Sequence, residues 1–355
     1  MNAKKILSLA ASTIKLFIII LLLTSNSKAV ENNIKYYSED KGILSLMYHR
    51  FDENKYPSTN IQMNIFKQQI KIIKNLKYNF YDPKDLEQNF YVIKKEKKIL
   101  ITIDDAFSSF YKVAWPYLKK EKIPFILFVS TKTIGKKGYM TWRQIKELEK
   151  ETTVYIGNHS HTHNYLVDLK EQDFINDINT ASKIFNKNLG YNPIFFSYPF
   201  GEYSFFIKKY ISKNFKFSFG QHSGVIDNSK DPYELPRFPI NEKYGDLKRF
   251  EFLINLYPLK YKALLPEEKF LKKNNNPPKF IVEFFEQQKN INNINCFSDE
   301  GGKWEKSNIE FSQNTLTLNF REKFNFRRGR INCSLNDNGI WRWFGVQFSI
   351  KTELN

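Results

Sequence analysis

A chain of 355 residues has room for about two domains, and at 41% apolar and 16% aromatic it can bury a large core, which excludes disorder as its default state. Its 55 Lys and Arg against 37 Asp and Glu give a net charge of +18, a balance that suits nucleic acid, anionic lipid or an acidic polymer. The basic residues are dispersed through a chain heavy in Lys, Asn, Ile and Phe. No helix reads as a basic stripe and no aromatic-plus-basic motif is present, so nucleic acid is set aside as a partner.

At the N-terminus, Lys4, Lys5 and Lys15 precede the apolar run 16–23, and small and polar residues ending Ser27-Lys28-Ala29 follow. This is the order of an export signal, with an apolar run too short to span ~30 Å of hydrocarbon. Export to the periplasm or exterior is expected. Residues 1–29 are read either as a signal peptide cleaved after Ala29 or as an uncleaved anchor that associates the protein with the envelope or membrane surface.

Residues 43–49 then read as a strand ending on His49. Helical spacing of Ile65, Phe66, Ile70, Ile73 and Leu76 predicts a helix over 62–76, and a short extended piece at 78–81 leads to Pro83, which opens another helix. Lys97 and Lys98 lead into a nearly continuous apolar run over 99–103 ending in Asp104-Asp105, as expected of a parallel strand buried on both faces. A helix over 108–120 carries Pro116, which predicts a kink. Strands are expected at 124–130, 154–157, 194–198 and 215–219. Helices are expected from the Thr141 cap to about Lys150, over 170–188 and over 204–214. This alternation from about 43 to 240 is that of a parallel α/β fold, a barrel or a doubly wound sheet. Polar clusters end four or five of the strands. They share one face if the sheet closes like a barrel.

The character changes after about 265. Residues 246–278 read as a helical connection and a Lys/Asn/Pro linker. Residues 279–355 read as a small all-β, sandwich-like domain with strands near 280–285, 308–311, 315–320, 340–344 and 346–350. Trp304, Trp341 and Trp343 fit a sugar-stacking platform or a small core equally. Cys296 and Cys333 suit either a disulfide in an oxidising compartment or two free buried thiols. Nothing in the sequence sets an oligomeric state.

Two features carry chemistry. Asp104-Asp105 places two carboxylates at a strand end, where an unpaired buried carboxylate would cost several kcal/mol. His159-x-x-x-His163, with His161 between, places two imidazoles where a tight turn lets both reach one metal. An Asp with two His is an open ligand set that leaves positions for water and substrate.

Together these motifs resemble the NodB-type polysaccharide deacetylases, carbohydrate esterase family 4. Thr102-Ile103-Asp104-Asp105-Ala106 looks like that family's Thr-Phe-Asp-Asp-Gly motif, His159-Ser160-His161-Thr162-His163 like its His-Ser/Thr-x-x-His motif, and Ser197-Tyr198-Pro199-Phe200-Gly201 like its Arg-x-Pro-Tyr-Gly motif. Leu46-Met47-Tyr48-His49 resembles the opening strand of the poly-N-acetylglucosamine deacetylase branch. The resemblance covers roughly 40–245 and implies a distorted (β/α) barrel with zinc held by Asp105, His159 and His163, cobalt, manganese or nickel fitting the same donors. It implies Asp104 as general base, the backbone N–H at Phe200 as an oxyanion donor and His49 as general acid. His222 is a second candidate acid, and His161 is taken as non-ligating. Two positions depart from the family: Ala106 replaces the usual Gly, and Ser197 stands where many members carry the arginine that orients the base. Arg237 is expected to take over that arginine's task. The implied activity is removal of N-acetyl groups from an N-acetylated glycan. The alternatives are an O-deacetylase using the same site, and a non-catalytic glycan-binding protein on a degenerate scaffold.

Overall fold

The computed structural model describes residues 40–285 and 290–351, so the expected signal segment at 1–29 lies outside the described residues. Strands β1 (Ile43–Tyr48), β2 (Arg50–Phe51), β3 (Asn60–Ile61), β4 (Asn79–Phe80), β5 (Lys98–Ile103), β6 (Phe125–Val129), β7 (Val154–Asn158), β8 (Phe195–Ser197), β9 (Phe217–Phe219) and β10 (Phe238–Pro239) make up the first part of the chain. All but β2 and β3 join one parallel sheet in the order β10-β1-β5-β6-β7-β8-β9, with β4 beside β5. The apolar runs have the reason expected: β1 and β6 are buried along their whole length.

Residues 235–239 close this sheet. Leu235 bridges Phe219 at one edge, while Phe238 pairs with Leu46 at the other. The sheet therefore curls into a distorted (β/α) barrel, and the doubly wound alternative is set aside. Its helices pack outside. In the Met63–Asn75 helix, Phe66, Ile70 and Ile73 are buried, and the Phe66 ring meets Tyr48 and Phe51 at 5.0 and 5.1 Å. Thr141 and Gln144 form a full capping box on the Trp142–Glu149 helix. The break expected at Pro116 takes a specific form: Phe110–Ala114 is a π-helical turn, and a regular helix resumes over Trp115–Glu121. Proline lacks the N–H for the i−4 bond, and a widened turn ahead of it absorbs that loss.

Beyond the Leu247–Ile254 helix come β11 (Tyr257–Pro258), β12 (Ala263–Leu265), β13 (Phe270–Leu271), β14 (Phe280–Glu283), β15 (Asn295–Ser298), β16 (Glu305–Lys306), β17 (Asn308–Ser312), β18 (Thr315–Asn319), β19 (Arg328–Asp337) and β20 (Ile340–Ile350). They form a sheet ordered β11-β20-β19-β15-β16 with β13 beside β20, and a second ordered β12-β14-β18-β17. Side chains of both sheets share one core, in which Phe280, Val282 and Leu316 meet Ile331, Phe344 and Phe348. The stretch 246–278 thus contributes a helix and three short strands, and the C-terminal sheets begin within it.

Two local findings differ from the sequence expectation, and a third decides between two readings it left open. The runs 340–344 and 346–350 are one strand, because Gly345 stays in the ladder opposite Asn332. A Cβ at Gly345 would meet the Ser223 carbonyl at 2.5 Å, so glycine lets a barrel loop lie against the strand. Strand β19 is new: its buried Gly329, Ile331, Cys333 and Leu335 alternate with Arg, Asn and Ser that hide the pattern. Finally, Cys296 and Cys333 lie opposite each other on β15 and β19 and are joined by a disulfide.

Candidate active site

Register brings the candidate residues together at the carboxyl ends of the strands. Tyr48 pairs with Ile103, so His49 and Asp104 leave the sheet side by side, and the Asp104 amide donates to the Tyr48 carbonyl at 2.9 Å. On the next strands Val129 pairs with Asn158, and the His159 amide donates to the Val129 carbonyl at 3.0 Å.

Adjacent residues of a regular strand point to opposite faces, so Asp104 and Asp105 share a site only if the backbone turns. It does. Asp105 and Ala106 lie in the left-handed region, at φ of 73° and 53°. For non-glycine residues each costs about 1–3 kcal/mol, so the surrounding packing must hold them, and Ala106 is fully buried. His163 and Phe200 also have positive φ, at 57° and 60°.

Asp105, His159 and His163 each offer a ligand atom, all within 4.8 Å of one another. His163 Nε2 is 3.2 Å and His159 Nε2 3.5 Å from Asp105 Oδ1. His159 Nδ1 lies 2.7 Å from the Ser197 carbonyl; donating there leaves the Nε2 lone pair facing the carboxylate. Burial pushes the His159 imidazole down to about 4, despite the pull of Asp104, and so keeps it in the neutral, ligating form. Burial also opposes charge on His163, but the hydrogen bond and charge of Asp105 outweigh it and raise that ring above its ordinary value. The donors are one carboxylate and two imidazoles converging on one point, and they fit a divalent cation of the zinc, cobalt, manganese or nickel kind.

Asp104 is fully buried and faces Arg237, also fully buried. Two parallel bonds join them, Nη1 to Oδ1 at 2.7 Å and Nη2 to Oδ2 at 2.9 Å. The same guanidinium donates to Ser197 Oγ at 2.7 Å, Thr102 Oγ1 at 3.2 Å and the Gly220 carbonyl at 2.9 Å. Burial works against charge on Asp104, but the Arg237 guanidinium outweighs it and holds the carboxyl below its usual range. An arginine reaching across from the strap at 235–239 therefore occupies the place expected of one at position 197.

His49 is half-buried; burial lowers its basicity while Asp104 and Asp105 pull the other way. His222 also sits low, at about 4, through burial, and the carboxylate that acts on it is Glu234. Of the two candidate acids, His49 is thus the one set among the aspartates. His161 turns aside, with Nδ1 at 2.8 Å from Thr131 Oγ1. The Phe200 ring packs on His163 at 4.7 Å and stacks on Tyr165 at 4.1 Å.

Supporting residues that sequence reasoning missed include Asp177. It accepts from the His161 amide at 2.7 Å and the Thr162 amide at 3.0 Å, which shapes the histidine loop. Its one sequence signal is an acid on the buried face of the Glu171–Leu189 helix. Gln347, on the far C-terminal strand, donates to the Phe200 carbonyl at 3.0 Å and carries no such signal.

The family model for polysaccharide deacetylases matches residues 92–215. YxkH of Bacillus subtilis (strain 168) is 29% identical over 161 residues, 45% of this chain, and the match spans only 57% of that relative's length. The poly-β-1,6-N-acetyl-D-glucosamine N-deacetylase of Staphylococcus aureus (strain N315) is 25% identical over 241 residues, covering 59% of this chain and 81% of that one. Among solved structures, IcaB from Ammonifex degensii superposes with a TM-score of 0.56 at 24% identity, covering 60% of this chain and 97% of that chain. The Streptococcus pyogenes deacetylase PplD gives 0.55 at 22% identity, covering 61% and 99%. At those identities the two structures speak for the fold.

Proposed function

We propose that this chain, whose residues 92–215 match the family model for polysaccharide deacetylases, is an exported, divalent-metal-dependent hydrolase that removes N-acetyl groups from an N-acetylated polysaccharide as acetate. The observation that carries this reading is the convergence of Asp105, His159 and His163 beside an Asp104 locked by Arg237. Poly-β-1,6-N-acetylglucosamine is the first substrate to try, because the staphylococcal relative is named for it. The Cys296–Cys333 disulfide supports an oxidising, exported setting.

Asp105, His159 and His163 would hold the ion, most simply zinc. When bound, it supplies Lewis acidity to a water and to the acetamide carbonyl. Asp104, kept ionised and aimed by Arg237, accepts the proton of the attacking water. The Phe200 N–H supplies a donor to the oxygen on which negative charge builds. An amine leaves poorly as an anion, and His49, beside Asp104, delivers a proton to the departing nitrogen.

The test is acetate release from N-acetylglucosamine oligomers, with and without added metal, alongside O-acetylated sugars. Asp105→Ala is expected to lose both bound metal and acetate release. Asp104→Asn is expected to keep metal while turnover drops by about 10²–10⁴-fold. Full turnover in Asp104→Asn overturns the base assignment. Release from esters alone assigns an O-deacetylase, and no release from any acetylated glycan by metal-loaded protein rejects the catalytic reading.

A further inference from the structure

Away from the metal-ligand cluster, a cleft of about 270 Å3 opens between the loop after β9, the Leu247–Ile254 helix and strands β19 and β20. Trp304, Trp343, Phe252 and Tyr244 line it, together with Arg330 and Asn332. Trp304 and Phe252 are 41% and 44% exposed, so part of each side chain is open to a ligand. The rings are held in place. Trp343 Nε1 donates to Ser223 Oγ at 2.8 Å, and that hydroxyl donates to Asn332 Oδ1 at 2.7 Å. The Arg330 guanidinium lies 5.4 Å from the Trp304 ring and is itself fixed by Asp299 at 2.8 Å. Trp341, the third tryptophan singled out in the sequence, backs Phe252 edge-on at 5.9 Å.

Fixed aromatic faces with a few placed polar groups suit a ring that is apolar on its faces and hydroxylated at its rim. Such a ring is a pyranose. Both walls of the cleft also run into the catalytic centre. On one wall, the His222 carbonyl accepts from the Arg237 amide at 2.9 Å, and Gln221 lies so close to Gly201 that an added Cβ there would meet its backbone nitrogen at 2.6 Å. On the other, Val346 lines the cleft, and the next residue, Gln347, holds the Phe200 carbonyl.

We propose that this cleft binds another pyranose unit of the same glycan chain whose N-acetyl group is processed beside Asp104, so that the C-terminal sheets select for long chains. The assignment rests on the deacetylase reading for the identity of that chain. The probes are a dimer and a hexamer of N-acetylglucosamine in both β-1,4 and β-1,6 linkage. Trp304→Ala is expected to weaken hexamer binding by about tenfold, read by titration calorimetry without turnover, and to lower the hexamer-to-dimer ratio of kcat/KM by a similar factor. Trp304→Phe, which keeps an aromatic face, is expected to recover most of both. Trp304 is 41% exposed and lies outside the buried core, so these variants are expected to fold, which circular dichroism checks. Hexamer binding and a rate ratio unchanged in Trp304→Ala overturn the proposal while acetate release leaves the enzymatic reading standing. Failure of the wild type to bind either hexamer also overturns it. Conversely, hexamer binding that depends on Trp304 in a protein that releases no acetate supports the cleft and rejects the catalysis.

Discussion

Arg237 shows how a contact to Asp104 can come from a distant part of the chain. Its guanidinium lies against the Phe128 and Phe219 rings, 5.4 and 5.9 Å away, and makes five donor contacts with no exposed surface. A buried charge in that position is tolerable only because every donor has an acceptor. Removing it by Arg237→Ala strands the Asp104 carboxylate and is expected to cost about 3–5 kcal/mol in denaturant unfolding. Arg237→Lys keeps the charge but not the fork, since one ammonium cannot bridge both carboxylate oxygens, Ser197 and Gly220. The lysine variant is expected to fold and retain metal, with kcat reduced and metal affinity unchanged. A variant with wild-type kcat would show that the bidentate geometry does not matter. This arginine was legible because Ser197 left a vacancy in a familiar motif and Leu235-Pro236-Arg237 offered a replacement. Asp177 was not legible: a helical acid reads as solvated until the folded chain shows two loop amides pointing at it.

At the level of elements, the parallel strands and their helices could be read directly, because strands buried on both faces make unbroken apolar runs and helices keep their period. The C-terminal pairing could not. Strand β13 joins β20 across roughly eighty residues of sequence, and no local pattern announces such a partner. The consequence is functional, since the C-terminal sheets brace the turn at Phe200. Arg327, just before β19, donates to Glu202 at 2.7 and 3.0 Å and to Asp168 at 2.6 Å, and lies 4.0 Å from the Tyr165 ring that stacks on Phe200. Glu202 is fully buried, and burial raises its carboxyl even against the arginine's pull. Arg327→Ala is therefore expected to lower stability by about 3 kcal/mol. It is also expected to cut kcat more than it raises KM, because the Phe200 amide loses its fixed position while substrate contacts elsewhere remain. Thermal unfolding and steady-state acetate release check the two parts separately. A stability loss with unchanged kcat would make the brace purely structural.

Across the whole molecule, the barrel and the C-terminal sheets pack into one unit, and buried charge helps to join them. Glu234 sits just ahead of the strap that closes the barrel. It accepts from Lys208 at 2.9 Å, on the Phe205–Asn214 helix, and from the Tyr203 hydroxyl at 3.0 Å. Lys269, buried beside β13, adds its positive charge. Burial alone would raise this carboxyl, yet Lys269 and Lys208 outweigh it and hold it at about 2, below its ordinary 4.5. A carboxyl held down in the folded state contributes stability above its unfolded value and loses that contribution as pH falls through the folded one. Here the window runs from 4.5 down to about 2, and the full contribution is about 3 kcal/mol. Glu234→Gln is expected to be less stable than wild type by that order near neutral pH. Below the window, where the native glutamate is also neutral, the two proteins converge. Unfolding temperatures of both proteins measured from pH 7 downward separate this from the titration of other carboxylates, which is common to the pair. Parallel curves with a constant offset would mean that Glu234 acts through shape rather than charge, and that the junction of barrel and sheets is held by packing alone.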